Sequence, residues 1–562
     1  MNFGVPLPPG KAIVQKAMAL IGKATSRNDI LRAHAFLVKT SFDRNIFVLA
    51  KFLRCCVERA SHQAILHGRA LFVQILFPDT FIWNTLIRAY LLARIPGESL
   101  RLFRQMCRIS GSITIADSYT FSISLQACGR VEKLTTGSII HAHAVKLGFC
   151  SDLFVQTALV EMYGKCRDLL HARLVFDDMP ERDLVAYNAM LADYLNCGDM
   201  LEAGRLFAEM PERDLISWNT MIHGYAMSRD LGSARDVFDR MEDRDSISWS
   251  SIISAYAQCR KPSVELKLFY EMQLHGIAPD SVTMLIVLSA CGDLGVLGMG
   301  KEIHRLIKTD GITVDIKLGT ALIDMYARCG DIENSLGVFN SMDEKDVLAW
   351  SAMIIGLANH GLGKDALDLF SKMVLEGIRP NDMTFVGVLS ACNHTGLLSE
   401  GKAYFNSMSK LYGIDPKMEH YGCMIDLLGR SGHIEDARKL ITHMPFEPDA
   451  VVWRALLGAC RIHKNVDLAE EAIMNLISLE PCVYGHHVLL SNVYAQANQW
   501  DDVAKVRSRI RRKSIPKVRG CSSIELENIV HEFVAGDSSH SRSNKIYKML
   551  EVLNDPSRKI KF

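Results

Sequence analysis

Seven pairs of polar side chains recur at one register of this 562-residue sequence: Asn84 with Asp117, Thr157 with Asp183, Asn188 with Asp214, Asn219 with Asp245, Ser250 with Asp280, Thr320 with Asp346 and Ser351 with Asn381. A carboxylate only accepts hydrogen bonds, an amide donates and accepts, and a hydroxyl does either. Groups of this kind match the edges of nucleobases. Guanine presents N–H donors on its Watson–Crick edge, which a carboxylate accepts. Adenine presents a ring acceptor at N1, which Asp repels and the amide of Asn381 satisfies. An Asn amide suits a pyrimidine edge. Three positions before the first member of six of these pairs stands an apolar residue: Phe81, Phe154, Val185, Ile216, Ile247 or Leu348. Such residues are candidates to wedge between bases, a contact that tolerates any base and is worth roughly 1–3 kcal/mol per base for aromatics. Each position taken alone has another reading. The final Asp is a helix cap, the Asn or Ser is solvated, and the apolar residue is core. Seven matched pairs in one register favour base reading, because helical-repeat readers of RNA use two or three side chains per base.

The elements that carry these pairs are set by a period. Asp178-Met-Pro-Glu-Arg-Asp183, Glu209-Met-Pro-Glu-Arg-Asp214 and Arg240-Met-Glu-Asp-Arg-Asp245 close three consecutive blocks of 31 residues, with Ala172, Ala203 and Ala234, and Phe176, Phe207 and Phe238, at the same spacing. A fixed period of this size means one supersecondary unit stacked on copies of itself. In the block 215–245, Trp218, Met221, Ile222 and Tyr225 share one helical face, and Leu231, Ala234, Val237, Phe238 and Met241 share another. Asp245 stands where a carboxylate caps the next helix. The pattern predicts twelve units over 46–449 (46–79, 80–117, 118–152, 153–183, 184–214, 215–245, 246–280, 281–315, 316–346, 347–381, 382–417 and 418–449), preceded by a short leader and a weaker unit within 1–45. The expected fold is an all-α, right-handed α-solenoid of helix–turn–helix repeats. Strand signals occur only at Ser523–Glu527 and Val530–Val534.

Charge narrows the partner. Residues 1–79 hold eleven Lys/Arg against four Asp/Glu, and residues 501–562 hold fourteen against eight. The chain total is +1, so residues 80–500 carry a net −12. A nucleic acid along that stretch is held by base contacts rather than by phosphate neutralisation. The cluster Lys505–Arg519, with Arg511, Arg512 and Lys513, is either a phosphate or partner contact or a solvated face. No C-x-x-C occurs. Cys128, Cys166, Cys197, Cys259, Cys291, Cys329, Cys392 and Cys460 fall near the end of the first helix of their units, where they are expected to be small buried apolar residues in a reducing compartment. The uncharged run 347–363 coincides with a repeat helix and turn, and no membrane segment is expected. The first 28 residues lack Asp and Glu and contain Lys11, Lys16, Lys23 and Arg27, which is compatible with an organelle transit peptide.

The alternation of unit lengths resembles the plant pentatricopeptide repeat proteins of the PLS class. Trp83-Asn-Thr-Leu-Ile87, Trp218-Asn-Thr-Met-Ile222, Thr320-Ala-Leu-Ile-Asp-Met-Tyr-Ala-Arg-Cys-Gly330 and the long-type Gly300-Lys-Glu-Ile-His304 carry the resemblance. Residues 450–519 look like the E motifs of that class. Gly520-Cys-Ser-Ser-Ile-Glu-Leu526 and Phe533-Val-Ala-Gly-Asp537 resemble the start of an E-plus extension, shortened within 520–562, with Ser523 where the family has Trp. The resemblance implies a single-stranded RNA ligand in a mitochondrion, or alternatively a chloroplast, and a role in selecting cytidines for C-to-U editing. It also implies that units 80–381 prefer, 5′ to 3′, U (Asn84), any, G (Thr157), U (Asn188), U (Asn219), G (Ser250), any, G (Thr320) and A (Ser351). The "any" positions are long-type units, with Leu285 and Val386 at the reader site in two such units. Gly422 with Asp449 gives no preference.

A zinc deaminase needs H-x-E and a later P-C-x-x-C. His433-Ile-Glu435 supplies the first and Pro481-Cys482 begins the second, but Gly485 replaces the second cysteine. His433-Ile-Glu435 also aligns with Asp331-Ile-Glu333 at the start of a second helix. His141 and His143 lie on a repeat helix without metal partners in sequence. The expectation is a protein that is not an enzyme and binds no metal or cofactor. It would recruit a deaminase-bearing protein and editing accessory proteins through its E region, because the sequence ends before a DYW deaminase domain. The rival readings are an RNA splicing, stabilisation or translation factor, and a tetratricopeptide-like protein scaffold.

Overall fold

The computed structural model describes residues 78–109, 116–463, 465–481, 483–513, 520–526, 529–534, 538–540 and 542–553, with shorter pieces between 16 and 73. The leader and most of the units before 78 lie outside the described residues. So do Arg519, Cys482 and the side chains of Arg511, Arg512 and Lys513 in the basic cluster. The chain folds as the expected solenoid of helix–turn–helix repeats and divides into two compact units, Met1–Ala255 and Tyr256–Phe562.

In the first unit the first helices are Thr80–Leu92, Ser118–Val131, Leu153–Lys165, Leu184–Asn196 and Leu215–Met227, and their partners are Pro96–Arg108, Leu134–Lys146, Leu169–Asp177, Met200–Glu209 and Leu231–Asp239. Helix Ser246–Gln258 runs across the division. In the second unit the first helices are Ser281–Leu294, Ile316–Arg328, Val347–Asn359, Asp382–Thr395 and Met418–Arg430. Two further helix pairs, Ala450–His463 with Val466–Leu479 and Tyr484–Gln496 with Trp500–Lys513, precede an antiparallel hairpin of β1 (Cys521–Leu526) and β2 (Ile529–Val534). The hairpin falls on both strand signals. Within each unit, consecutive first helices pack on one another.

The recurring residues are the joints. Ala172, Ala203 and Ala234 are fully buried where a small residue lets two helices approach. The recurring Phe of each second helix meets the aromatic residue of the next first helix edge to face: Phe176 with Tyr187 at 5.2 Å, Phe207 with Trp218 at 4.9 Å, Phe238 with Trp249 at 4.8 Å. The Arg before each terminal Asp staples the end of the second helix. Arg213 Nε donates to the Phe207 carbonyl and its Nη2 to the Ala208 carbonyl, both at 2.9 Å, while the guanidinium lies 5.0 Å from the Phe207 ring centre. Arg182 and Arg244 repeat the arrangement. These carbonyls are the ones a helix C-terminus leaves unpaired.

The long units 118–152 and 281–315 share a different joint. A Cβ at Gly137 or Gly300 would fall 2.2 or 2.3 Å from the sulfur of Met162 or Met325, so any larger residue there would force that side chain to move. His141 and His304 pair with the hydroxyls of Tyr163 and Tyr326, both at 2.9 Å, and burial lowers the pKa of both imidazoles.

The cysteine expectation holds for half its members. Cys128, Cys291, Cys392 and Cys460 are buried, whereas Cys166, Cys197, Cys259 and Cys329 are half-exposed. The first group lies inside 14-residue helices; the second follows the last turn of 13-residue helices. Burial pushes the Cys128 thiol up to about 12.

One buried charge stands apart. Asp193 is 3% exposed, and its carboxyl occupies the space that a Cβ at Gly164 would fill. Its Oδ2 has no partner. Burial, with Glu161 nearby, pushes its pKa up to about 8. The folded state therefore holds a proton that the unfolded state releases near the ordinary carboxylate value. The protonated carboxyl favours folding below that value, and this contribution is lost as the pH rises through 8. Asp193→Asn, which removes the titration and keeps the shape, is expected to raise the melting temperature more at pH 8 than at pH 5. Equal shifts at both pH values, by thermal denaturation, would contradict the assignment.

Candidate nucleic-acid interface

The last residue of a repeat is the N-cap of the next repeat's first helix. Asp117 accepts from the Thr120 N–H at 2.8 Å, Asp183 from Ala186 at 2.8 Å, Asp214 from Ser217 at 2.8 Å and Asp245 from Ser248 at 2.8 Å. Asp280, Asp346 and Asn381 cap the helices after them in the same way. Each bond falls on the oxygen Oδ1. The unpaired amides of a helix start require such an acceptor. The cap reading of these residues is therefore correct, and it coexists with their place beside the first readers.

Those first readers lie at the fifth residue of each first helix, one full turn in from the cap. The structure brings several pairs into direct contact. Asn84 Nδ2 donates to Asp117 Oδ1 at 3.0 Å, and Asn188 Nδ2 to Asp214 Oδ1 at 3.1 Å. The Ser351 hydroxyl donates to Asn381 Oδ1 at 3.2 Å. Asn219 stands beside Asp245 and helps to lower its pKa. Thr157 and Thr320 do not join their partners; their hydroxyls return to the carbonyls of Leu153 and Ile316 in their own helices, at 2.9 and 2.7 Å. Ser250 bonds the Ile247 carbonyl at 3.0 Å, and it and Asp280 fall in different units.

Partial burial raises the Asp214 carboxyl's pKa, but bonds from the Ser217 hydroxyl and N–H and from Asn188 outweigh it and leave it below the ordinary carboxylate range. Asp245 behaves alike, lowered by Ser248 and Asn219. Both are ionised acceptors at neutral pH.

The six apolar candidates are not core. Phe81, Phe154, Val185, Ile216, Ile247 and Leu348 are each 54–73% exposed, at the second residue of their helices. Tyr119, Val282 and Met383 of the long units are exposed at the same register. The sequence reading passed over these three, although their offset of two residues from the capping Asp or Asn was visible. Between Ile216 and Ile247 lies a cavity of about 430 Å³ whose walls include Asn219, Asp245, Thr220 and His223. Asn219 Oδ1 is buried there without a partner. A larger cavity of about 990 Å³ touches Lys317 and Asp346 at the corresponding end of repeat 316–346.

The deaminase near miss has another structural account. His433 is exposed and bonds the Ser431 carbonyl at 3.0 Å at the start of helix Ile434–Thr442. Among the described residues no group of three or more His, Cys, Asp or Glu could hold a metal ion, and no helix is long and apolar enough to cross a membrane.

Comparison with known proteins places the chain among repeat proteins of one kind. A "PPR repeat" family model matches residues 81–110, 157–184, 185–215, 216–246, 320–347 and 419–446. A "PPR repeat family" model matches 244–293 and 345–394, and an "E motif" model matches 463–525. Pentatricopeptide repeat-containing protein At3g29230 of Arabidopsis thaliana is 41% identical over 97% of this chain and 96% of its own. The relative At1g08070, chloroplastic, from the same plant, is 41% identical over 96% and 82%. Among solved structures, the pentatricopeptide repeat protein PPR10, in complex with an 18-nt psaJ RNA element, matches with a TM-score of 0.50 at 16% identity, over 89% of this chain and 85% of that one. At that identity the likeness concerns the fold.

Capping and reading by one side chain are separable. Asn caps a helix about as well as Asp. Asp214→Asn is therefore expected to keep the melting temperature within about 2 °C, since surface changes that preserve a cap cost under ~0.5 kcal/mol. It should nevertheless alter base preference at one nucleotide of a bound RNA. A large loss of stability with unchanged preference, in paired melting and binding measurements, would reduce Asp214 to a cap.

Proposed function

This chain belongs to the pentatricopeptide repeat family, and we propose that it binds single-stranded RNA sequence-specifically, one base per repeat, to select cytidines for C-to-U editing of organellar transcripts. The observation that carries the reading is the cleft between Ile216 and Ile247. Two exposed apolar side chains flank it, and an amide and an ionised carboxylate line it. A base stacked there meets one face of each aliphatic side chain. Turned into the cleft, the Asn219 amide, whose Oδ1 has no partner within the protein, accepts the N3–H that uracil presents. Asp183 and Asp346, whose Thr partners turn away, offer acceptors to the two N–H groups of guanine. The Asn381 amide offers a donor to adenine N1.

The editing role is supported by the E motif match over 463–525. The deaminase acts from a partner protein, joined by accessory proteins at the E region. The organellar setting draws on relatives named as chloroplastic or, for At1g59720, chloroplastic/mitochondrial. Within that setting the mitochondrion is our assignment.

The test is a gel-shift series on RNA carrying U-N-G-U-U-G-N-G-A. Changing the central UU to AA should weaken binding roughly 5-fold per base, the net worth of about one hydrogen bond each. Equal affinity for both RNAs would sink the base assignment. Sequencing organelle transcripts from a plant lacking the protein separates the roles. A cytidine left unedited supports editing, whereas full editing with an unspliced or missing transcript favours the splicing or stabilisation role.

A further inference from the structure

Building on that RNA-binding reading, we propose that the third residue of each first helix is a positioning residue that sets the base preference of the repeat before it. Six reader pairs have both members in one unit. After four of them the third helix residue bears a hydroxyl: Thr120 after Asn84/Asp117, Ser217 after Asn188/Asp214, Ser248 after Asn219/Asp245 and Thr384 after Ser351/Asn381. After Thr157/Asp183 and Thr320/Asp346 it is Ala186 and Ala349. All six are fully buried, so none touches a base directly.

The hydroxyl closes a triangle of side chains. Thr120 Oγ1 lies 2.6 Å from Asp117 Oδ1 and 2.7 Å from Asn84 Oδ1, and Asn84 Nδ2 completes the circuit to Asp117 at 3.0 Å. Ser217 builds the same triangle at 2.7, 2.8 and 3.1 Å. Thr384 joins Asn381 at 2.8 Å and Ser351 at 2.7 Å. Ser248 bonds Asp245 at 2.7 Å. At Asp117 and Asp214 the carboxylate oxygen thus accepts from a backbone N–H and an Asn amide, and the single hydroxyl proton lies within reach of it and of the Asn oxygen. The oxygen's charge is shared with these donors, and the amide is held in one orientation.

Ala186 and Ala349 remove the hydroxyl. Oδ1 of Asp183 then takes the Ala186 N–H, and Oδ1 of Asp346 takes the N–H groups of Leu348 and Ala349. The hydroxyl of the first reader has turned back into its own helix. More of the carboxylate's charge is left for a ligand that presents two N–H donors on one edge, and among the bases that ligand is guanine. A buried hydroxyl at the third residue biases the preceding repeat away from guanine, and alanine biases it toward guanine; Thr283, buried and 2.7 Å from Asp280 Oδ1, accordingly makes the guanine preference assigned to Ser250 weaker than those of Thr157 and Thr320.

The experiment uses the full chain and RNA oligonucleotides that differ at single nucleotides. Ser217→Ala should reduce the preference for U over G at the nucleotide facing Asn188 by about fivefold, the effect of one hydrogen bond. Ser217→Thr should restore it. Ala186→Ser should reduce the preference for G facing Thr157 by a similar factor, and because it adds a group it keeps the test alive if Ser217→Ala unfolds. Unchanged base ratios, or equal weakening of all four bases, in variants that melt normally would overturn the proposal. If the unsubstituted protein binds none of these RNAs, the RNA-binding reading itself fails; if it binds and discriminates while the variants keep its ratios, only this proposal fails.

Discussion

At the repeat boundaries formed by Asp117 and Asp214, one carboxylate oxygen holds two pieces of structure together. The first helix of a repeat begins with amides that no residue of that helix can satisfy. The preceding repeat supplies the acceptor as its own last side chain, as Asp214 does for Ser217. The same oxygen accepts from Asn188, one turn into the previous first helix. A change in the angle between the two helices would break one bond or the other. The cap therefore fixes the spacing of neighbouring first helices and the geometry of the reader pair in a single contact.

That constraint explains where the repeats are allowed to vary. The first helices stay at 13 or 14 residues from Thr80 to Arg430, while the second helices range from nine residues in Leu169–Asp177 to 13 in Gly363–Leu375. Length differences are absorbed on the side away from the caps. The two kinds of unit then close their joints by different chemistry. Units 153–183, 184–214 and 215–245 use an Arg that staples two carbonyls over a Phe ring. Units 118–152 and 281–315 use a Gly that admits a Met sulfur and a His that meets a Tyr hydroxyl. Both bring the next capping residue to the same place.

The period, the helix pairs, the caps and the terminal hairpin were legible in the sequence, because each depends on residues close in the chain. The paired polar positions were legible too, since a register shared by Asn84, Asn188 and Asn219 is visible without coordinates. What depended on packing was not. Type alone does not say whether Ile216 lies in the core or in water; its position two residues past the cap puts it in water. Cys128 and Cys166 both fall near the end of a first helix, yet Cys128, the eleventh residue of its helix, is buried, whereas Cys166, which follows the thirteenth, is half-exposed. Asp193 reads as a surface charge until Gly164 on the neighbouring helix makes room for its carboxyl. The triangle of Asn188, Asp214 and Ser217 joins residues 29 apart, and nothing in the linear pattern marks Ser217 as its third corner.

An array with a net charge of −12 over residues 80–500 is an unusual surface to offer a polyanion. The caps resolve part of this difficulty. Each reader carboxylate sits at a helix N-terminus, where the aligned peptide dipoles place about half a positive charge. Its Oδ1 is engaged by N–H groups, and at Asp214 and Asp245 those bonds hold the pKa below the ordinary range, so the acceptor stays ionised while its field is partly cancelled locally. A base edge carries no net charge and is drawn to such an acceptor. A phosphate gains nothing from it. On the proposed reading the surface selects for the edge and against the backbone, so the affinity of the middle repeats rests on stacking and hydrogen bonds, which salt screens weakly, rather than on counterion release.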